Sequence, residues 1–352
     1  MPPLAELVAV TASGAIKLGN SVACDGFSKH SSVRVQTHAH DDHLKGFNSS
    51  QMSQDIVLTP QTRGLLSLRK EYFGLKLPRS TVHEVEPGES LEFQGCEIEL
   101  YHSNHILGGV QVCVQLPDGR RVGYSSDFDW PLDATIQVDA LVVDSTAGHP
   151  NKILTYTQGD AEAALLTLSE AAIKEGPVDI CGSQRGIVQR AMNVLSPMFP
   201  DTTFLCSGVL EKENRVYRDF GYSLKATTDV SSSEGRRILN DGGRFIRFRG
   251  RSDKQAIGGT RKTKITLSPF PCPNENPVNV WSSQWPEKNY TVGLYDHADF
   301  EGTIAYIRKT GARYVLTDSR GQYAYQLANE IRQRLNIESR HSAQNDSLEW
   351  GG

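Results

Sequence analysis

The chain has 352 residues, 37 Lys or Arg against 41 Asp or Glu, and a formal charge of −4. With 38% hydrophobic and 22% charged residues it has the make-up of a folded globular protein, neither disordered nor collagenous. At ~100–200 residues per domain the length predicts two domains, and no apolar run approaches the ~20 residues that a membrane span requires.

Residues 1–10 carry Glu6 inside their apolar stretch and no basic cluster, so no secretory leader is expected. Six cysteines (24, 96, 113, 181, 206 and 272) are scattered without a CxxC pair. That pattern predicts reduced thiols, a cytoplasmic location and no cysteine zinc site. The first third reads as β-rich. Val110, Val112 and Val114 alternate with other residues, Pro117-Asp118-Gly119 makes a turn, and Arg121 to Tyr124 returns as a second strand. Ala140 to Val143 is an apolar strand ending at Asp144. From there the rhythm becomes α/β: a helix capped by Asp160 and stopped by Gly176, a strand at Val178 to Cys181, then a helix from about Ile187 to Leu195. Residues 231–290 show little pattern and read as loops and short strands. A strand then leads to Tyr295-Asp296-His297, followed by a helix from Phe300 to Lys309, a stop at Gly311, a strand at Tyr314 to Leu316 and a last helix over about 322–335. The polar tail, 341–352, is expected to be frayed.

The segment Thr37-His38-Ala39-His40-Asp41-Asp42-His43 concentrates the chemistry. His38 and His40, two apart after a strand, project into one site, while Asp42 and His43 turn toward a second. Neutral imidazoles with carboxylates suit zinc or a similar borderline metal. His105, in His105-Ile106-Leu107-Gly108-Gly109, precedes a strand, and Asp127 follows one. Both are expected to reach the same sheet edge, with Asp127 bridging two ions ~3.5–4 Å apart.

These motifs resemble those of the metallo-β-lactamase superfamily. Two further segments are similar to motifs of its β-CASP nucleases: Asp144-Ser145-Thr146 to an acidic-Ser-Thr motif, and Asp296-His297-Ala298-Asp299 to a Ser-x-His-x-Asp motif. Gly182-Ser183-Gln184-Arg185 looks like the strand-turn-helix of that group's cap. The resemblance implies an α/β protein, a metallo-β-lactamase αββα sandwich built from 1–152 and 289–340, with a β-CASP-like α/β cap inserted at 153–288. It also implies two divalent metal ions, Zn²⁺ or Mn²⁺, and a nuclease of the ligase-associated DNA exonuclease branch, cleaving DNA in preference to RNA. His38, His40 and His105 would hold one metal, and Asp42 and His43 the other. His297 would protonate the departing oxygen with Asp144 holding its proton. One position departs from the pattern: Asp318 stands where the RNA-processing members carry a metal-binding His, and it reads either as an oxygen ligand of the second metal or as a turn residue.

Residues 244–264 hold eight Lys or Arg and the single acid Asp253, a local +7 that leaves −11 for the remainder. Arg244, Arg247, Arg249 and Arg251 interleave with Phe245 and Phe248, a pattern expected to track a nucleic-acid strand by phosphate contact and base stacking. Arg185, beside a helix N-terminus, is a second phosphate-contact candidate. The leading expectation is therefore a two-metal hydroxide mechanism on phosphodiesters, in contact with protein partners of a repair or processing complex and with no membrane. The alternatives are a nucleic-acid-binding or scaffold subunit with a weakened centre, motivated by Asp318, and a small-molecule ester or lactone hydrolase, for which the long insert is superfluous.

Overall fold

In the computed structural model, residues 1–73, 81–183, 185–251, 261–272, 276–284 and 286–342 are described, with the backbone alone for 70–73. Gln184, Asp253, Lys254 and the tail beyond Ser342 lie outside them. The protein is α/β and divides into two compact units, Met1–Ile153 with His297–Gly352, and Leu154–Asp296. The chain re-enters the first unit at 297 and not at 289, because Glu287–Gly293 pairs along its length with Lys262–Ser268 in the second unit's sheet.

The first unit contains two sheets. One runs Val8–Val10, Ile16–Leu18, Val22–Cys24, Val33–Val35, Asp55–Leu58, Val82–Glu84, the first two pairings antiparallel and the last three parallel. The other runs Glu338–His341, Tyr314–Thr317, Ala140–Val143, Arg121–Tyr124, Val110–Gln115, Cys96–His102, Ser90–Phe93, three parallel pairings followed by three antiparallel ones. Period-two alternation decides how they pack. Val33 and Val35 point inward with Ile16, Leu18, Val22 and Cys24 to meet Ile98, Leu100, Val112, Val114, Val122 and Val142 of the facing sheet. Arg34, between the two valines, points outward to Ser50 and stacks over Phe47 at 4.8 Å, so the helix Phe47–Ser53 lies on that outer face. The outward residues of the second sheet, Leu141, Val143 and Val315, bury against Phe300, Ile304 and Ile307 of the helix Phe300–Thr310 and Leu327 and Ile331 of Ala324–Leu335.

Most strands and helices fall where the periodicity put them, including the pair Val110–Gln115 and Arg121–Tyr124 and the stop at Gly311 in the left-handed region (φ 68°). The helix Gln158–Glu175 is capped by Thr157 and not by Asp160. The Thr157 side chain accepts from the Asp160 amide, and the Asp160 carboxylate in turn accepts the Thr157 N–H at 2.8 Å. His341 and Ser342 are not frayed. Glu338–His341 adds a parallel edge strand to Tyr314–Thr317, and Ser339 Oγ donates to the Ala328 carbonyl at 2.5 Å.

The second unit is one seven-stranded sheet ordered Thr228–Asp229, Thr203–Cys206, Phe245–Gly250, Val178–Gly182, Lys262–Ser268, Glu287–Gly293, Val278–Ser282, parallel except for the last pairing. The segment read as pattern-poor, 231–290, supplies the helix Ser233–Asp241 and four of these strands. Of these strands Phe245–Gly250 is buried on both faces and lacks the alternation that marks a half-buried one. All six cysteines are unpaired and buried. No helix among the described residues is long and apolar enough to cross a membrane.

Candidate metal centre

The chemistry-bearing side chains of the first unit collect where parallel strands end. Asp25 follows Val22–Cys24, His38 follows Val33–Val35, Asp127 follows Arg121–Tyr124, Asp144 follows Ala140–Val143 and Asp318 follows Tyr314–Thr317. The carboxyl ends of parallel strands are the usual place for a site in α/β sheets. Three non-glycine residues there take left-handed backbone: Asp25 (φ 53°), Asn104 (φ 57°) and Ser126 (φ 54°). Each adjoins or is a site residue, which is where such strain concentrates. Gly108 lets the His105 loop close against the helix Pro60–Phe73. Its carbonyl accepts from the Thr59 and Thr62 hydroxyls at 3.0 Å each, and a Cβ there would lie 2.6 Å from the Thr62 nitrogen.

His38, His40, His105 and Asp127 each offer a ligand atom within 4.8 Å of the others. Asp127 Oδ2 is the hub, 3.8 Å from His38 Nε2, 3.3 Å from His43 Nε2 and 3.6 Å from His105 Nε2. His40 Nδ1 lies 3.1 Å from His105 Nε2. A hydroxyl chain fixes the His38 tautomer. Thr37 Oγ1 donates its one proton to Asp25 Oδ2 (2.7 Å) and accepts from Ser126 Oγ (2.7 Å), so His38 Nδ1, 3.0 Å away, must be the donor in its contact with Thr37. The lone pair is then on Nε2, a fully buried atom without a hydrogen-bond partner. Burial, reinforced by the neighbouring His43 and His40, pushes His38 well below the usual histidine pKa and keeps it neutral. A buried, neutral imidazole nitrogen beside two more imidazoles and a carboxylate is a group that could hold a metal ion.

His43 marks a second pole. Its Nδ1 bonds to Asp25 Oδ2 at 2.7 Å, and its Nε2 faces Asp127 and, at 3.7 Å, Asp42 Oδ2. The Asp42 side chain is 74% exposed and meets the cluster only through His43. Burial disfavours charge on His43, but the Asp127 and Asp25 carboxylates outweigh it and hold its pKa well above the usual range. The same proximity holds Asp127 well below the usual carboxylate range despite its burial. A metal ion needs an unprotonated nitrogen, so loading the centre at pH 7 is expected to release about one proton from His43. Calorimetric titration of zinc into stripped protein, in two buffers of different ionisation enthalpy, measures that number.

Asp25 is the functional residue the sequence reading passed over. It is fully buried and, besides His43 Nδ1, accepts from the Thr37 amide (2.9 Å) and hydroxyl. Its oxygens accept these bonds and orient His43, and with His38 and His43 it also forms one of the groups that could hold a metal ion. The only sequence signal was an Asp closing the strand Val22–Cys24 just before Gly26. Beneath it, Arg34 braces the turn by donating to the carbonyls of His43 (2.8 Å) and Lys45 (2.9 Å) and to Gln36 Oε1. Burial lowers its guanidinium pKa to about 10.

His297 and Asp144 meet as expected, Nδ1 to Oδ2 at 3.1 Å, and both lie within 4.8 Å of Asp127 by their nearest ligand atoms. The His297 and His105 ring centres are 4.8 Å apart. Asp144 Oδ1 accepts the Thr146 amide (2.9 Å) and hydroxyl (2.8 Å), leaving Oδ2 aimed at His297. Asp299 caps the helix Phe300–Thr310, its Oδ1 accepting from the Gly302 amide at 2.7 Å.

Asp318 has a different task from ligation. Its oxygens accept the Arg320 amide (3.0 Å), Nε (2.7 Å) and Nη2 (2.6 Å), and Arg320 Nη2 also donates to the Tyr124 hydroxyl at 2.6 Å. A carboxylate saturated by a guanidinium has little left for a cation, and Asp318 belongs to no metal-ligating group among the described residues.

In the second unit the basic-aromatic strand is not an open interface. Phe245 and Phe248 are fully buried, Phe245 with Leu205, Val230 and Leu239, Phe248 against Phe204 at 5.1 Å. Arg247 Nε and Arg249 Nε share the neighbouring strand's Asp179, at 2.7 and 3.0 Å. Arg185, 12% exposed, pairs with Glu213 at 3.2 Å, while Arg244 and Arg251 are exposed. The alternation correctly placed Phe245 with Arg247 and Arg249 on one face, but burial on both faces makes the two phenylalanines core residues. Phe248→Ala should therefore destabilise the second unit by about 3–5 kcal/mol in chemical denaturation, and a loss of binding with unchanged stability would contradict this role.

No protein-family model matches the chain. An uncharacterized protein in a lig 3′ region of Acidianus ambivalens is 26% identical over 136 residues, 38% of this chain and 96% of that protein. The crystal structure of a protein of unknown function from Enterococcus faecalis V583 superposes with a TM-score of 0.58 at 11% identity, covering 89% of this chain and 80% of that one. At that identity the likeness shows a shared fold and nothing of activity.

Proposed function

We propose that this protein is a metal-dependent nuclease of the metallo-β-lactamase superfamily, β-CASP group, with a two-metal centre that hydrolyses phosphodiester bonds, DNA being the favoured substrate. The observation that carries the reading is the hub at Asp127, three imidazole nitrogens within 3.8 Å of one carboxylate oxygen with the Asp144–His297 pair beside it. His38, His40, His105 and Asp127 would hold one ion, and His43, Asp42 and Asp127 the other. When bound, the metal supplies Lewis acidity at the phosphoryl oxygens and lowers the pKa of water.

The remaining work falls to side chains. Asp25 keeps the Nδ1 proton of His43 in place, so that its Nε2 faces the centre. Asp144, itself fixed by Thr146, accepts from His297 Nδ1. That bond turns the opposite nitrogen outward, where an imidazolium can protonate a departing 3′-oxygen. The relative named for a lig 3′ region is in keeping with the ligase-associated branch.

The removal of Asp318 from the ligand set leaves the second pole poorer, which favours as a second reading a nucleic-acid-binding subunit with a weakened centre. One experiment separates the two: end-labelled single- and double-stranded DNA and RNA digested with Zn²⁺ or Mn²⁺, in parallel with bound-metal analysis. Asp42→Ala should lower cleavage by about 100-fold or more, the upper end of what losing a supporting residue of a metal site costs. Undiminished cleavage would sink the assignment of the second pole, and absence of metal with retained binding would favour the second reading.

A further inference from the structure

One side of the second unit's sheet departs from the rule that parallel sheets bury both faces under helices: Val178–Gly182 and Phe245–Gly250 are buried on both faces, but the strands beyond them are not. In Lys262–Ser268, Thr263, Ile265 and Leu267 are buried while Lys262, Lys264, Thr266 and Ser268 are half-exposed in strict alternation. The buried face is covered by Ile187–Leu195. Val188 and Leu267 both close on Gly182, 3.3 and 3.1 Å from where its Cβ would stand. The other face is wet, and it continues sideways. The register pairs Lys262 with Glu287, Lys264 with Asn289 and Thr266 with Thr291, all three partners half-exposed.

At the far edge, Val278–Ser282 bulges between Val280 and Ser282 and places Trp281 there, 68% exposed. Its indole Nε1 donates to Thr291 Oγ1 at 2.9 Å, which holds the ring on the polar side of the sheet. Arg247 and Arg249 both draw on Asp179, Lys262 pairs with Glu287 at 2.9 Å, and Lys264 has no acid partner among the described residues.

We propose that this face binds single-stranded nucleic acid, with Trp281 stacking on a base and Lys264 neutralising a phosphate. The inference rests on the nuclease reading for the class of ligand and adds a surface that reading does not use. Two strand spacings and one residue separate Lys264 from Trp281, roughly 10 Å, which one short single-stranded segment can span. An aromatic ring with nearby cations selects single strands, because only unstacked bases offer a free face. Trp281 takes the part that the buried Phe245 and Phe248 cannot play.

The test is fluorescence anisotropy with fluorescein-labelled dT12 in EDTA, so that nothing is cleaved, using wild type, Trp281→Ala, Trp281→Phe and Lys264→Gln. Trp281→Ala should weaken binding about tenfold with an unchanged salt slope, Trp281→Phe should restore most of it, and Lys264→Gln should lower the slope of log K against log salt by about 0.7. Binding to a 12-base-pair duplex should not respond to Trp281→Ala. Wild-type binding of dT12 by both Trp281→Ala and Lys264→Gln would overturn the proposal, as would absence of dT12 binding by the wild type. So would sedimentation showing a dimer that Trp281→Ala dissociates, since a second copy would then occupy the face. Bound metal and cleavage measured on the same protein preparations without EDTA keep the two ideas separable. Normal cleavage with no effect at Trp281 leaves the nuclease and removes the face, whereas weakened binding by Trp281→Ala in a protein without metal or cleavage does the reverse.

Discussion

Asp127→Asn is expected to strip the centre: bound zinc should fall below one ion per chain, and cleavage should drop by about a thousandfold or more, the several kcal/mol that Lewis-acid assistance is worth at 1.36 kcal/mol per decade. The amide keeps the shape of the side chain and one acceptor, but not the charge that three imidazole nitrogens face at 3.3–3.8 Å. The same substitution should reshape the pH dependence of the metal-free protein. His43, raised by Asp127 and Asp25, contributes stability that is complete below its ordinary pKa of about 6.5 and is lost as pH climbs through its folded value. Asp127, lowered by His43, contributes stability present above about pH 4 and lost as pH falls through its folded value. His38, lowered by burial, adds to the acid-side loss, since the unfolded chain takes up a proton below about pH 6.5 that the folded one refuses. Thermal unfolding of stripped wild type should thus show a stability maximum with two falling sides, and Asp127→Asn should flatten the alkaline one. A variant that retains two ions and full cleavage would remove Asp127 from the centre.

His297→Gln should leave bound metal unchanged and reduce cleavage by about 10²–10⁴-fold, the usual contribution of a positioned proton donor. The diagnostic control is a p-nitrophenyl phosphodiester, whose departing oxygen needs no proton, so the defect should shrink sharply on that substrate. An equal loss on both substrates would make His297 a structural contributor to the site and not a proton donor. Asp144→Asn, which leaves a neutral acceptor at 3.1 Å from His297, should show a milder version of the same signature.

What could be read from the sequence depended on how local each signal was. His38, His40, Asp42 and His43 sit within six residues of one turn, so spacing alone carried them. His105, Asp127, Asp144 and His297 are dispersed, yet each closes or precedes a recognisable strand or helix, and topology then gathers them at one edge. Asp25 had no such company. It acts by accepting from His43, eighteen residues on, through a contact made by the pairing of Val22–Cys24 with Val33–Val35. Asp318 was ambiguous because what decides between ligand and turn residue is Arg320, two positions later, whose guanidinium only a folded turn brings round. Phe245 and Phe248 misled for a different reason. Composition reports which residues are adjacent in sequence, whereas the sheet order, with Phe245–Gly250 enclosed between Thr203–Cys206 and Val178–Gly182, decides which are solvated.

The interruption of the first unit sets an order of assembly during synthesis. Ala140–Val143 pairs in parallel with Tyr314–Thr317, whose residues emerge more than 170 positions later, after the whole of Leu154–Asp296. Until then an entirely apolar strand has one edge without its neighbour, while the helices that bury Leu141 and Val143 do not yet exist. Such long-range closure is slow and leaves a sticky surface on the nascent chain. His297 arrives at the same late moment, so a truncated product ending inside the second unit carries His38, His40 and His43 without His297. A ribosome-stalled chain should not cleave nucleic acid until the last two helices are out.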